Sequence, residues 1–115
     1  MKTSKILFLA LFLSLTSSMY AGKFVLTHLA GKALKTPAYF YVGEQSVWEM
    51  DFRNGDKILY TIISFKDKND LLCGIRAKDD KGDYCEICIR KNGNRTSIDI
   101  KYSVGTFTYT GYYSE

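Results

Sequence analysis

Proline, histidine and tryptophan each occur once in the 115-residue chain, and cysteine three times. A single proline excludes a proline-rich stalk or linker. The lone histidine, His28, has no Ser, Cys or acid at a suggestive spacing, so it reads as a surface or strand-end residue rather than a catalytic one. Three cysteines guarantee at least one thiol unpaired within the chain. Neither sign of charge dominates, with 16 Lys+Arg against 12 Asp+Glu. A hydrophobic fraction of 46% with 24% charged residues excludes disorder, and the length holds one domain at most.

What is present first is a leader. Lys2 and Lys5 precede an apolar run from Ile6 to Leu15, followed by Thr16-Ser17-Ser18 and Met19-Tyr20-Ala21. This is the three-part layout of a secretory signal peptide, with small Ala21 at the cleavage position. The apolar run is about 10 residues, half of what a spanning helix needs. The expectation is therefore a removed leader, 1–21, and a single all-β domain, 22–115. The domain is exported to the periplasm or the extracellular space, with no membrane span in the mature chain. Without Lys2 and Lys5, 14 basic residues face 12 acidic ones, a balance of +2. That is too even to argue for nucleic acid or an anionic membrane.

Apolar residues recur at every second position in segment after segment: Trp48, Met50, Phe52; Leu71, Cys73, Ile75, Ala77; Cys85, Ile87, Ile89; Ile98, Ile100, Tyr102; Phe107, Tyr109. Period two places them on one face of a strand, with polar neighbours on the other. Phe24–Leu29 and Tyr39–Val42 are further strands. Between them, Ala30–Lys35 reads as one helical turn or a loop, closed by Pro37. Lys57–Phe65 is apolar on both faces, which predicts a central strand or one covered on its outer side.

Turn residues fall in the gaps. Asn54-Gly55 and Asn92-Gly93 suit two-residue hairpins, Asp80-Lys81-Gly82 a three-residue loop, Lys66–Asp70 a longer polar loop, and Val104-Gly105 a short turn. These loops set Ile75 opposite Ile87, Ala77 opposite Cys85, Ile87 opposite Ile98, Cys85 opposite Ile100, Tyr102 opposite Phe107 and Ile100 opposite Tyr109. Core meets core in every pair. The fold expected is all-β, with seven or eight short antiparallel strands in a meander. They close into a small up-and-down barrel, which removes exposed edges, or stack as a two-sheet β-sandwich. An outer-membrane barrel fits poorly, because the outward faces carry Glu49, Arg53, Arg76, Glu86, Arg90, Asp99 and Lys101.

Chemistry-bearing residues are sparse. Cys85-x-x-Cys88 lies within an alternating strand, so its two side chains point to opposite faces, unlike a redox dithiol at a helix N-terminus. The expectation is that Cys73 and Cys85 are buried and unpaired, and that Cys88 is an exposed thiol. Asp79-Asp80-Lys81-Gly82-Asp83 resembles the start of a calcium loop, but Arg90 stands where the closing acid belongs. It reads as a solvated turn at the same end as Asn54–Asp56 and Val104-Gly105. Asn94-Arg95-Thr96 matches a glycosylation acceptor and marks an exposed turn. No nucleophile–base pair, carboxylate pair or metal cluster emerges, so no enzyme, cofactor or metal is expected. The aromatic residues are the feature most open to function. Tyr39, Tyr41, Trp48, Tyr60, Tyr102 and Tyr109 are the candidate ligand-binding residues.

The C-terminal half carries Ala77-x-Asp79, Gly82-x-x-Cys85-x-Ile87, Ile98-x-Ile100-x-Tyr102-Ser103 and Phe107-x-Tyr109. In these it resembles small uncharacterised exported β-proteins of Bacteroidetes-type bacteria. The resemblance implies a leader and an all-β fold, and it brings no activity and no catalytic residue. The expected function is a non-enzymatic binding module for an apolar small molecule or a protein partner. The alternative is a small secreted inhibitor or cell-envelope accessory protein acting through its surface.

Overall fold

A computed structural model describes residues 23–43, 46–64 and 71–114. The expected leader, 1–21, and the expected loop, Lys66–Asp70, lie outside the described residues. The strands are β1 (Lys23–Leu29), β2 (Lys32–Tyr41), β3 (Val47–Asp51), β4 (Lys57–Ser64), β5 (Leu71–Asp79), β6 (Tyr84–Asn92), β7 (Arg95–Tyr102) and β8 (Gly105–Ser114). They pair in sequence order, all antiparallel, and β8 returns to β1 to close the barrel. Eight strands enclose just enough space for side chains to fill. Leu26, Phe40, Trp48, Met50, Ile75, Ile87, Ile98 and Ile100 fill it and are fully buried. Phe40 meets Trp48 and Tyr60 edge-on, each with ring centroids 6.1 Å apart. The buried Trp48 indole N–H donates to the Gly43 carbonyl at 3.1 Å, so the core holds no stranded donor there.

Closure depends on Gly111. A Cβ at this position would fall on the Val25 carbonyl oxygen and lie 2.8 Å from the Leu26 Cα. Only glycine lets β8 approach β1 this closely.

Several local expectations are corrected. Ala30–Lys35 contains no helical turn. Ala30 (φ 54°) and Gly31 (φ 82°) form a two-residue turn with both angles positive, the geometry that follows the right-handed twist of flanking strands. Strand β2 begins at Lys32, earlier than the expected Tyr39, and runs through Pro37. Residues 34–37 have no partner on β1, so the missing proline N–H breaks no ladder bond.

The β6–β7 turn is Gly93-Asn94, not Asn92-Gly93. Asn92 pairs with Arg95, and Gly93 (φ 66°) takes the first central position, as in a type II′ turn. Likewise the β7–β8 turn is Ser103-Val104, with Tyr102 opposite Gly105. Both pairings slide by two residues. Ile87 therefore faces Ile100, Ile89 faces Ile98, Ile98 faces Tyr109 and Ile100 faces Phe107. A slide of two keeps every side chain on its face.

The β3–β4 connection is wider than a tight Asn54-Gly55 hairpin. Asp51 pairs with Lys57, and Arg53 (φ 62°) and Gly55 (φ 102°) carry the reversal between them. The Asp51 and Asn54 side chains accept from the backbone N–H groups of Arg53 and Asp56. This register turns Ile58, Tyr60 and Ile62 inward. Leu59 and Ile63 are consequently 40% and 52% exposed, not covered. The β5–β6 loop is as expected, with Ile75 opposite Ile87, Ala77 opposite Cys85, and Gly82 at φ 92°.

The cysteine expectation is overturned for Cys73 and Cys88. Leu72 pairs with Ile89 while Ile75 pairs with Ile87, because a bulge at Cys73–Gly74 adds one residue to β5, with Gly74 at φ 72°. One extra residue reverses the facing of everything before it. Cys73 thereby joins Cys88 on the outer face, their Cα atoms are 4.0 Å apart, and a disulfide links them. Cys88 is therefore not an exposed thiol. Cys85 is the free cysteine and is buried, as expected.

Candidate functional site at the barrel mouth

The turns that follow β1, β3, β5 and β7 share one end of an antiparallel meander. At that end the core stops short, and a cavity of about 300 Å³ opens. Its walls are Ile58 and Tyr60 from β4, Ile100 and Tyr102 from β7, and Phe107 and Tyr109 from β8. Asp79 closes one side, with Asp80, Lys81 and Asp83 on the rim. Strand parity puts each wall residue there. Asp79 continues the inward series of Ile75 and Ala77, which makes it the last inward residue of β5. Phe107, 48% exposed, forms the lip and meets the Tyr102 ring edge-on at 6.1 Å.

Asp79 organises the polar side. Its Oδ1 accepts the backbone N–H groups of Lys81 (3.0 Å) and Asp83 (2.9 Å), and its Oδ2 accepts the Tyr102 hydroxyl (2.9 Å). Burial alone would raise the Asp79 pKa, but these hydrogen bonds, with Lys81 nearby, outweigh it and hold the carboxyl below its ordinary value. Asp80 Oδ2 accepts the Leu59 N–H at 3.2 Å and ties the loop to β4.

The hydroxyls move the other way. Burial raises the Tyr60 pKa against the opposing effect of its hydrogen bond with Tyr102. Tyr102 is raised by burial, then by Tyr60 and by its hydrogen bond to the Asp79 carboxylate. Burial raises Tyr109 as well. Cys85 lies behind these rings, and burial, followed by the Asp79 charge, pushes its thiol up to about 11. At neutral pH the mouth therefore offers neutral hydroxyls and the Asp79 carboxylate on its wall, with Asp80 and Asp83 on the rim, while the Cys85 thiol behind it is protonated. A protonated buried thiol is a weak nucleophile.

Of the aromatic residues singled out in the sequence, Tyr60, Tyr102 and Tyr109 come together here. Trp48 does not line the cavity; it packs in the core against Phe40. Tyr39 and Tyr41 lie on the outer face, because Phe40 between them points inward. Lys23 and Arg53 sit over the Tyr39 ring at 4.9 and 4.5 Å. His28 does not line the cavity; it pairs with Thr110, next to Tyr109, and its Nδ1 is 2.8 Å from the Thr27 hydroxyl. Sequence reasoning missed Asp79, Ile58, Ile100 and Phe107 as wall residues. The one signal for Asp79 was its parity with Ile75 and Ala77. Comparison with known proteins adds no assignment: no family, no curated protein and no solved structure matches the chain.

Proposed function

We propose that the chain is an exported, non-enzymatic β-barrel binding module that takes a small molecule with an apolar body into the mouth between β4, β7 and β8. One observation carries the reading: a cavity of about 300 Å³ lined by apolar and aromatic side chains with a few convergent polar groups, at the edge of an otherwise filled core. Small-molecule sites have this composition and begin at about this size. Export rests on the leader layout of residues 1–21, and the Cys73–Cys88 disulfide suits an oxidising compartment. A second reading, recognition of a protein through the surface, draws on the exposed Leu59 and Ile63 of β4.

The neutral apolar dye N-phenyl-1-naphthylamine separates the two. Saturable fluorescence enhancement is expected, weakened about tenfold, or 1.4 kcal/mol, in Phe107→Ala. Phe107 is half-exposed at the lip, so its loss leaves the core intact. Absence of saturable binding, or binding indifferent to Phe107→Ala, would sink the pocket reading.

A further inference from the structure

We propose that the occupant of the mouth is a small organic cation, an amine or quaternary ammonium, with its charge against Asp79 and its apolar groups among Tyr60, Tyr102, Phe107 and Tyr109. This rests on the mouth being a binding site and adds the chemical class of the ligand.

The charges around the opening run against those of the chain. Basic residues outnumber acidic ones overall, yet the cavity lining holds Asp79, Asp80 and Asp83 against Lys81 alone. Asp79 belongs to the cavity wall as well as to the loop. Its Oδ1 is taken by two backbone N–H groups, while among the described residues Oδ2 holds only the Tyr102 hydroxyl. A carboxylate oxygen accepts two hydrogen bonds, so Oδ2 keeps an acceptor position beside the cavity. The hydrogen bonds that lower the Asp79 pKa keep it charged at neutral pH. Around it stand aromatic rings, whose negative faces attract cations, and quaternary ammonium groups are held elsewhere by such combinations of rings and acid. An anionic ligand meets the opposite: three carboxylates around the opening, and a Tyr102 hydroxyl proton already given to Asp79. Lys81 is the built-in competitor, since its ammonium is near enough to Asp79 to help lower its pKa.

The test uses choline and its neutral carbon isostere, 3,3-dimethylbutan-1-ol, which share a shape and differ in charge. Both are titrated into ¹⁵N-labelled protein, with phosphocholine as a third arm. Choline is expected to shift the amides of Tyr60, Asp79, Ile100, Tyr102 and Tyr109 and to bind about fivefold more tightly than the isostere. Lys81→Ala should widen that difference and Asp79→Asn abolish it. Lys81 is exposed, so its variant folds even if the Asp79 loop does not tolerate substitution. Phosphocholine should bind more weakly than choline, because its phosphate meets Asp80 and Asp83; tighter binding would point to a headgroup and overturn the proposal. Equal binding of choline and isostere at the mouth amides refutes the cation while leaving the pocket standing. No shift with either, together with failure of the naphthylamine dye, refutes both.

Discussion

The Tyr102 hydroxyl donates to Asp79 Oδ2 at 2.9 Å, joining the end of β7 to the end of β5 across the barrel mouth. No ladder links these two strands directly, since β6 lies between them. The bond fixes the Tyr102 ring at the cavity and leaves the Asp79 carboxylate facing inward.

That contact has a pH signature. The folded-state pKa of Asp79 lies below its unfolded value of 3.8. Its contribution to stability is therefore present above pH 4 or so and is lost as pH falls through the lower folded value. Denaturant midpoints measured from pH 7 down to pH 2 should show a steeper acid loss in the wild type than in Asp79→Asn. Tyr102→Phe, which removes one hydrogen bond to the carboxylate, should fall between. Parallel profiles for all three would contradict the assignment.

The thiols offer a sharper check. Native protein should show no reactive thiol. After unfolding without reductant, one should appear, at Cys85. Peptide mapping should recover Cys73 joined to Cys88. Cys73→Ser with Cys88→Ser should cost about 2–4 kcal/mol, the usual range for a disulfide that closes a loop of this length. A native thiol at Cys88 would place the β5 bulge elsewhere.

Facing within β7 is tested by neighbours. Ile100 is fully buried and Lys101 is exposed. Ile100→Ala should cost about 2–5 kcal/mol and Lys101→Ala under about 0.5 kcal/mol in denaturant melts. A one-residue slip reverses the order.

Barrel closure depends on Gly111. Gly111→Ala should destabilise by about 1–3 kcal/mol or more, because its methyl group collides with the β1 backbone, which cannot move aside without opening the β1–β8 seam. Gly105→Ala, with nothing within 4 Å of the new methyl and no positive φ to strain, should be nearly silent. Equal effects would mean that β8 does not approach β1 at residue 111.

The strands were legible because period-two alternation survives every local variation that preserves parity. The Gly93-Asn94 and Ser103-Val104 turns moved two pairings by two residues, and the core assignments of Ile87, Ile98 and Ile100 held, but Phe107, expected in the same cluster, stands half-exposed at the barrel end. Bulges were invisible for the opposite reason. In Leu71-Leu72-Cys73 every neighbour is apolar, so the sequence does not mark which residue is the extra one. Cys73 changed faces there without any trace in the hydrophobic pattern. Lys57–Phe65 and Tyr39-Phe40-Tyr41 posed the same ambiguity, with apolar residues on both faces. In the site, Tyr60, Tyr102 and Tyr109 were readable as aromatic candidates. Their convergence with Asp79 depends on register between strands far apart in sequence, which no local pattern carries.

The proposed ligand site is the mouth formed by Ile58, Tyr60, Asp79, Ile100, Tyr102, Phe107 and Tyr109. The most direct measurement is the map of amide shifts produced by N-phenyl-1-naphthylamine in ¹⁵N-labelled protein. Binding at the mouth should give saturable shifts concentrated at Tyr60, Asp79, Ile100, Tyr102 and Tyr109, with Trp48, Tyr39 and Tyr41 unmoved. Shifts centred on the outer face, around Leu59 and Ile63 or Tyr39 and Tyr41, would contradict it.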